Sequence, residues 1–503
     1  MSKIASLDLR PPKNVSHETI PRRLRRSNLY QAAKTSRMTG AWPATNADVN
    51  VFIGASSDTV RARIRKLVRD YPHFARAVDL LSLYIINTGI GYQSKVKDYD
   101  RTSDTFSLNK TLNRKQEDEW KLFSDAKNFD VAKKLSFDAM EQLACRQDGE
   151  NGEYIIRKHY RRDRRFGICY QIFEPDFLSG FHGKSLVKGA EIEQGVEYNI
   201  YTGEVYGYHF YDQLTGEGYS LPADSIMHNF FTYRPAQLRG ISAFAPGVIL
   251  ADTLKARIDN ELSRSALAAQ WLAFVKTPDP LTRQTGMTVD EDGNQINGDD
   301  RIIEEIENGI IEYLNPMEDI TLAGGAPDPA GFNPFVKFIL QMFSIIRGFP
   351  FELVSGDYSE LNYTVLRGKR NDFSHELKAH IKRFIDQYNE PIKWDFLQGG
   401  VLSGVFPYRD FFTNPAYYGA CKWMPVGMPP IDPLKENKAD IVALDGRIAS
   451  PQEIMAKTGR DMDDVYADIA AAKEMRKEYG IEDEPTAGIS TASANAPSAV
   501  APD

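Results

Sequence analysis

Five sets of residues have types that could bind a ligand or do chemistry. His182-Gly183-Lys184-Ser185 has the ending of a phosphate loop, where backbone N–H groups cradle phosphates and the lysine reaches the outer one. Such a loop needs a glycine five residues before Gly183. Leu178 stands there, so nucleotide binding is not predicted. Asp290-Glu291-Asp292-Gly293-Asn294 opens like a calcium loop, but Gln295 replaces its sixth-position glycine and Arg301 its twelfth-position glutamate. A charged turn is the better reading. His375 and His380 are five apart, off a common helix face, and no HExxH occurs. Cys145, Cys169 and Cys421 form no CxxC pair, which removes a cysteine-rich zinc site and a disulfide framework as organising features. Ser242 and Ser403 lack a GxSxG setting. No catalytic, cofactor or metal-ligating residue is assigned.

Positive charge is the clearer signal. Residues 1–40 hold nine Lys or Arg against Asp8 and Glu18, with Arg22, Arg23, Arg25 and Arg26 at the centre. Pro11, Pro12 and Pro21 interrupt any helix there. This basic arm contacts nucleic acid or an acidic partner, or is a solvated flexible terminus. Arg157, Lys158, Arg161, Arg162, Arg164 and Arg165 surround one acid, Asp163; they form a phosphate contact or a charged hairpin tip. Arg257 and Arg264 are seven apart, on one face of a predicted helix. Between 284 and 320 the balance reverses: eleven acids accompany Arg301 alone.

The elements that position these residues follow from periodicity. A helix is predicted from a cap at Asp58, broken at Asp70-Tyr71-Pro72, then resumed with Phe74, Ala77, Val78, Leu81 and Ile85 on one face until Asn87-Thr88-Gly89. More helix follows over 108–146, ended by Gln147-Asp148-Gly149. Residues 153–230 change texture: strands are predicted at 154–156, 167–173, 196–201, 205–210 and 226–230, with a hairpin turn at Tyr201-Thr202-Gly203-Glu204. A long helix over 244–275 starts near Pro246 and stops before Thr277-Pro278. A Gly-Pro loop is read at 321–334, helices at 334–347 and 360–390, and an extended connector at 425–433. Ser450-Pro451-Gln452-Glu453 is a capping box, and a further helix begins at Asp461.

Lys plus Arg is 61 and Asp plus Glu is 69, a net charge of −8 over 503 residues. A sequence-independent DNA binder gains affinity by neutralising phosphates and is usually basic overall. Contact with DNA through a local patch, or by enclosure, is the form left open. No apolar run approaches the roughly 20 residues that span a bilayer, so a soluble intracellular chain with no membrane partner is expected.

The chain resembles the portal proteins of tailed bacteriophages, in their lambda-like family, from about residue 20 to about 480. The resemblance is carried by Arg69-Asp70-Tyr71-Pro72-His73-Phe74-Ala75-Arg76-Ala77-Val78-Asp79, Asn87-Thr88-Gly89-Ile90-Gly91 and Gln147-Asp148-Gly149-Glu150. Arg234-Pro235 with Gln237 to Ser242, Gly356-Asp357-Tyr358-Ser359 with Asn362-Tyr363, and Gly459-Arg460-Asp461 complete it. It implies an α+β portal fold: a long channel-lining stem helix, a β-containing wing or clip, and a helical crown. On that template, 1–40 is the flexible arm, 41–152 a mainly helical wing region and 153–243 a β-rich wing or clip. Residues 244–280 are the stem, 281–435 wing and channel loops, 436–483 the crown and 484–503 a disordered tail. Gly324, Gly325, Asp357, Tyr358 and Asn362 become candidates for channel-facing positions, and Arg257 and Arg264 candidates to face DNA or to pair with a neighbouring subunit.

The resemblance also implies a ring, normally of twelve subunits, at one capsid vertex, assembled in the host cytoplasm. Double-stranded DNA is packaged and ejected through it. The implied partners are the terminase large subunit, which is the separate ATPase, the major capsid and scaffold proteins, and head-tail connector proteins. No cofactor is implied. Two other classes stay open on the residues alone: a non-ring nucleic-acid-binding virion scaffold protein, and a virion-associated hydrolase.

Overall fold

The computed structural model describes residues 46–100, 105–179, 185–212, 215–276, 304–306, 309–314, 329–359, 362–428, 432–456 and 462–479. They belong to two units. The larger holds 46–87 and 120–414, and the smaller 88–119 and 415–479.

The larger unit opens with helix α1 (Val49–Asp70), nine residues before the predicted cap at Asp58. Asp48 is the cap instead; its carboxylate accepts the Asn50 N–H at 2.8 Å. Tyr71 adopts an extended conformation because Pro72 follows it, and Pro72 starts α2 (Pro72–Ile85). Phe74, Ala77, Val78, Leu81 and Ile85 form the buried face of α2, as their spacing predicts.

Helix α3 (Phe137–Asn151) packs on that face. It runs past the predicted stop at Gly149, because the residue that ends it is Gly152, in the left-handed region at φ 87°. Gly149 does another job. A Cβ there would stand 2.5 Å from Leu81 Cδ1, so its absence lets α2 and α3 approach.

Gly152 turns the chain into β1 (Glu153–Tyr160), which hairpins to β2 (Ile168–Phe173). A four-stranded antiparallel sheet follows in order: β3 (Glu191–Glu193), β4 (Val196–Tyr198), β5 (Val205–Asp212) and β6 (Glu217–Pro222). Gly203, at φ 75°, makes the predicted turn between β4 and β5. Then β7 (Ile226–Phe230) pairs with β1 to complete a sheet of order β7–β1–β2. Ile155, Val196, Phe210, Ile226 and Leu238 form a common apolar core of these strands.

Helix α4 (Val248–Gln270) is shorter than the predicted 244–275. The chain switches at Trp271 to strand β8 (Trp271–Lys276), so Leu272 leaves the helical pattern. A sheet partner takes over those backbone groups. β8 runs parallel to β10 (Gly309–Leu314), and β9 (Glu304–Ile306) pairs with β10 from the other side. Helix α5 (Pro329–Ile345) returns, taking in the last residues of the predicted Gly-Pro loop. Phe244, just before α4, stacks on Phe343 of α5 with centroids 5.7 Å apart.

Helix α6 (Tyr363–Phe384) passes through a π-turn at Ile385–Asn389 into α7 (Glu390–Leu402). The cause of the π-turn is visible. Pro391 has no N–H to offer the Gln387 carbonyl. The Asn229 side chain bonds that carbonyl instead, at 3.0 Å. The predicted helix end near 390 is therefore an irregularity within a longer helical run.

The smaller unit joins distant parts of the chain. Strand Gly91–Ser94 pairs antiparallel with Cys421–Met424. Lys97–Asp100 forms a hairpin with Thr105–Leu108. Asn113 Oδ1 accepts from Val96 N–H at 2.9 Å, and Gln116 Nε2 donates to the Tyr418 carbonyl at 3.1 Å. Helices Pro433–Asp445, Pro451–Ala456 and Met462–Glu478 follow. The predicted capping box is present: Ser450 Oγ accepts from Glu453 N–H at 3.2 Å, and Glu453 accepts from Ser450 N–H at 2.9 Å.

Candidate nucleic-acid interface

The basic cluster predicted at 157–165 lies on β1 and the β1–β2 turn, but its charges have different fates. Arg164 is buried. Its guanidinium donates to the carbonyls of Lys127, Asp130 (3.0 Å) and Val131 (3.2 Å), so it braces the turn rather than meeting a ligand. Lys158 is spent on Asp395 at 2.8 Å, and Arg157 lies over the Tyr219 ring. Arg161 pairs with Asp163. Arg162 is exposed at the tip, and Arg165, also exposed, lies over the Phe166 ring at 5.8 Å.

A cavity of about 480 Å³ opens beside them, lined also by Tyr160, Gln398, Leu402 and Ser403. Two guanidinium groups and an exposed phenol ring can take a phosphate or carboxylate and stack on a flat group. Asp395 closes one wall. Burial pushes its carboxyl up, against the opposing pull of Lys158 and Tyr170.

Arg264 donates to Glu261 at 3.1 Å within its own helix. Arg257 is half-buried on the same helix. The segment after α5 is built by its own polar groups. Asp357 Oδ1 accepts from Ser359 N–H (3.0 Å) and Oγ (2.6 Å), which holds its carboxyl below the usual range. Asn362 caps α6 through Val365 N–H at 2.9 Å. Tyr358 is exposed. Arg22, Arg23, Arg25, Arg26, Gly324 and Gly325 lie outside the described residues, as do Lys184 and the calcium-like segment.

The strongest electrostatic site was not singled out by the sequence. Glu153 opens β1 and is fully buried. It accepts from Arg239 Nη2 (2.6 Å) and Nε (3.0 Å), from Gly240 N–H (2.7 Å) and from His228 Nε2 (3.0 Å). Burial pushes its carboxyl up, but Arg239 and His228 outweigh that and hold it far below the ordinary glutamate value. Arg61 extends the network to Asp176 at 3.0 Å, where Arg65 also binds at 2.6 Å. The only advance signal was the segment Gln237 to Ser242, which holds Arg239 and Gly240.

A second buried row has the order of a hydrolase triad. Ser220 Oγ donates to His209 Nδ1 at 2.8 Å, and His209 Nε2 donates to Glu197 Oε2 at 2.9 Å. His209 and Ser220 are direct cross-strand partners on β5 and β6. Glu197 is already filled by the N–H groups of Leu186 and Val187 and by Ser185 Oγ. His209 and Glu197 are fully buried and Ser220 is half-buried, and the row ties a loop to the sheet. Ser185, the last residue of the phosphate-loop-like segment, is consumed here.

The fold is thus a mixed α+β fold of long helices and small sheets. Residues 35–380 match the phage portal protein, lambda family. The chain belongs to that family. The probable portal protein of Halomonas phage phiHAP-1 is 25% identical over 467 residues, which is 90% of this chain and 87% of that one. Portal protein B of Escherichia phage lambda is 19% identical over 493 residues, 88% of each chain. A chain from the neck of an empty gene transfer agent particle resembles this one with a TM-score of 0.43 and 12% identity, over 80% of this chain and 94% of that chain.

Proposed function

We propose that this chain is the subunit of a ring at one vertex of a phage capsid, and that double-stranded DNA is packaged and ejected through the ring's channel. One observation adds most to family membership. Among the described residues, helices α4 and α5 leave large apolar side chains exposed: Ile249, Leu262, Phe338, Met342 and Ile345. Soluble monomers rarely leave so much apolar helix exposed. A closed ring needs two different complementary faces on each subunit.

In this reading α4 and α5 form the stem, and the small sheet β8–β10 between them is the clip. The chain path favours that sheet over the 153–243 region, whose two sheets then belong to the wing. The helices from Pro433 onward are the crown, and the segment around Tyr358 faces the channel. A net negative chain suits DNA that must slide, because a strongly basic bore would hold phosphates. The chain itself performs no catalysis. The terminase large subunit supplies ATP hydrolysis, and head-tail connector, capsid and scaffold proteins dock on the ring.

Light scattering on the purified chain, with negative-stain images of the same peak, tests this. Twelve copies of 56.7 kDa give a particle of about 680 kDa with a central hole. A homogeneous monomer or dimer at high concentration overturns the ring. If that small form retained DNA through Arg162 and Arg165, a non-ring nucleic-acid-binding virion protein would replace it.

A further inference from the structure

Helix α5 ends and the chain turns inward at Arg347. Four arginines are buried among the described residues: Arg61, Arg164, Arg239 and Arg347. The first three donate to carboxylates or carbonyls, as above. Arg347 is different. It is 8% exposed and lies over the Phe244 ring at 6.0 Å; its Nε is unpartnered, as are those of Arg61 and Arg164, but unlike them its guanidinium donates no hydrogen bond to any described residue. No carboxylate among the described residues forms an ion pair with it.

Arg347 lines a pocket of about 700 Å³. Phe231, Ile241, Ala245 and Pro246 make its walls apolar, and Glu376, the one acid lining it, does not pair with Arg347. The rim is apolar and open: Ile345 is 75% exposed and Tyr233 50%. A buried cation with no counter-charge among the described residues is unfavourable in an isolated subunit, and an anion entering the pocket removes that deficit. An apolar rim around a cationic floor suits a carboxylate carried on a protein surface better than a free solute ion. The exposed Phe338 and Met342 on the same helix continue that apolar surface. The chain carries an excess of acids, 69 against 61 basic residues, to supply the group.

We propose that this pocket is an intersubunit socket, in which Arg347 receives an Asp or Glu side chain from a neighbouring copy of this chain. The proposal rests on the ring reading above, because a closed ring brings unlike faces of successive subunits together.

The test compares wild type with Arg347→Met and Arg347→Lys. Native mass is followed by light scattering over a concentration and salt series, and urea unfolding is followed on the dissociated subunit. Wild type is expected to form rings. R347M is expected to need at least tenfold more protein to reach the same mass, with R347K intermediate. The isolated R347M subunit is expected to unfold at the same or a higher urea concentration than wild type, since a lone buried charge has been removed. R347M rings that form and dissociate like wild type overturn the socket and leave the ring reading standing. An R347M subunit that unfolds early also overturns it, because Arg347 would then have an internal partner. A wild type that stays monomeric removes the ring reading, and the socket with it.

Discussion

Arg239 closes a two-pronged ion pair on Glu153, 86 residues earlier in the chain, with both side chains buried. Breaking this pair strands one charge without access to water. Glu153→Gln is expected to destabilise the subunit by about 3–5 kcal/mol, the range for removing one partner of a buried pair. Glu153→Met with Arg239→Met is expected to recover only part of that loss, because Arg61 stays in the same site. Urea unfolding followed by near-ultraviolet circular dichroism measures both. A loss below about 1 kcal/mol for E153Q would show that the network contributes little.

His380 predicts a pH dependence. Burial, reinforced by Arg347 and Arg383, lowers its pKa to about 4 from 6.5. Below pH 6.5 the unfolded chain takes up a proton that the folded chain refuses. Stability therefore falls as pH drops from 6.5 towards 4, by roughly 3 kcal/mol in all. His380→Gln should flatten the part of this slope that His380 causes. His228, also lowered by burial, contributes with the same sign and keeps its share. Glu153 acts in a lower window: its contribution is present above the ordinary glutamate value of 4.5 and declines as pH falls below it. Thermal melts of wild type and H380Q between pH 7 and 4 provide the comparison, and parallel curves would exclude the histidine.

Two glycines with similar backbone angles should respond differently to alanine. At Gly167, φ 69°, an added Cβ meets nothing within 4 Å. The cost is the left-handed strain alone, roughly 1–2 kcal/mol. At Gly152, φ 87°, the Cβ would lie 2.1 Å from the backbone at Ile241 and Ser242. G152A is expected to cost more than G167A by about 1–3 kcal/mol or to prevent folding. Equal melting temperatures would refute the close approach.

Neighbouring arginines at the hairpin tip should also separate. Arg164→Met removes bonds to three carbonyls and is expected to cost about 1.5–3 kcal/mol. Arg162→Glu with Arg165→Glu is expected to shift stability by no more than about 0.5 kcal/mol per site. The double variant should also weaken retention of short DNA duplexes at low salt. Unchanged retention would take the tip out of any DNA contact.

Local signals were legible wherever one segment sufficed. Tyr71-Pro72 marked its break, Ser450 to Glu453 its cap and Thr202-Gly203 its turn, because each is decided by backbone chemistry within a few residues. The switch from helix to strand at Trp271 was not legible, since a partner strand at 309–314 takes over the hydrogen bonds. The predicted stop was Gly149, whereas the helix ends at Gly152. Only the position of Leu81 shows that one is a packing glycine and the other the stop. Glu153 gave no signal, because its partners Arg61, His228 and Arg239 come from separate segments. Of the candidate interface, the composition of the 157–165 cluster was visible, but the division between bracing and exposed arginines needed the neighbouring carbonyls.

The pairing of Gly91–Ser94 with Cys421–Met424 places a constraint on how the chain is made. A ribosome adds about 5–20 residues per second, so the first strand waits on the order of tens of seconds for its partner. Until then its backbone edge is open, and an interrupted product keeps it open. Such an edge marks a chain for aggregation or degradation. A chain translated only as far as residue 420 therefore leaves Gly91–Ser94 without the partner it has in the full subunit, and translation through Met424 supplies it.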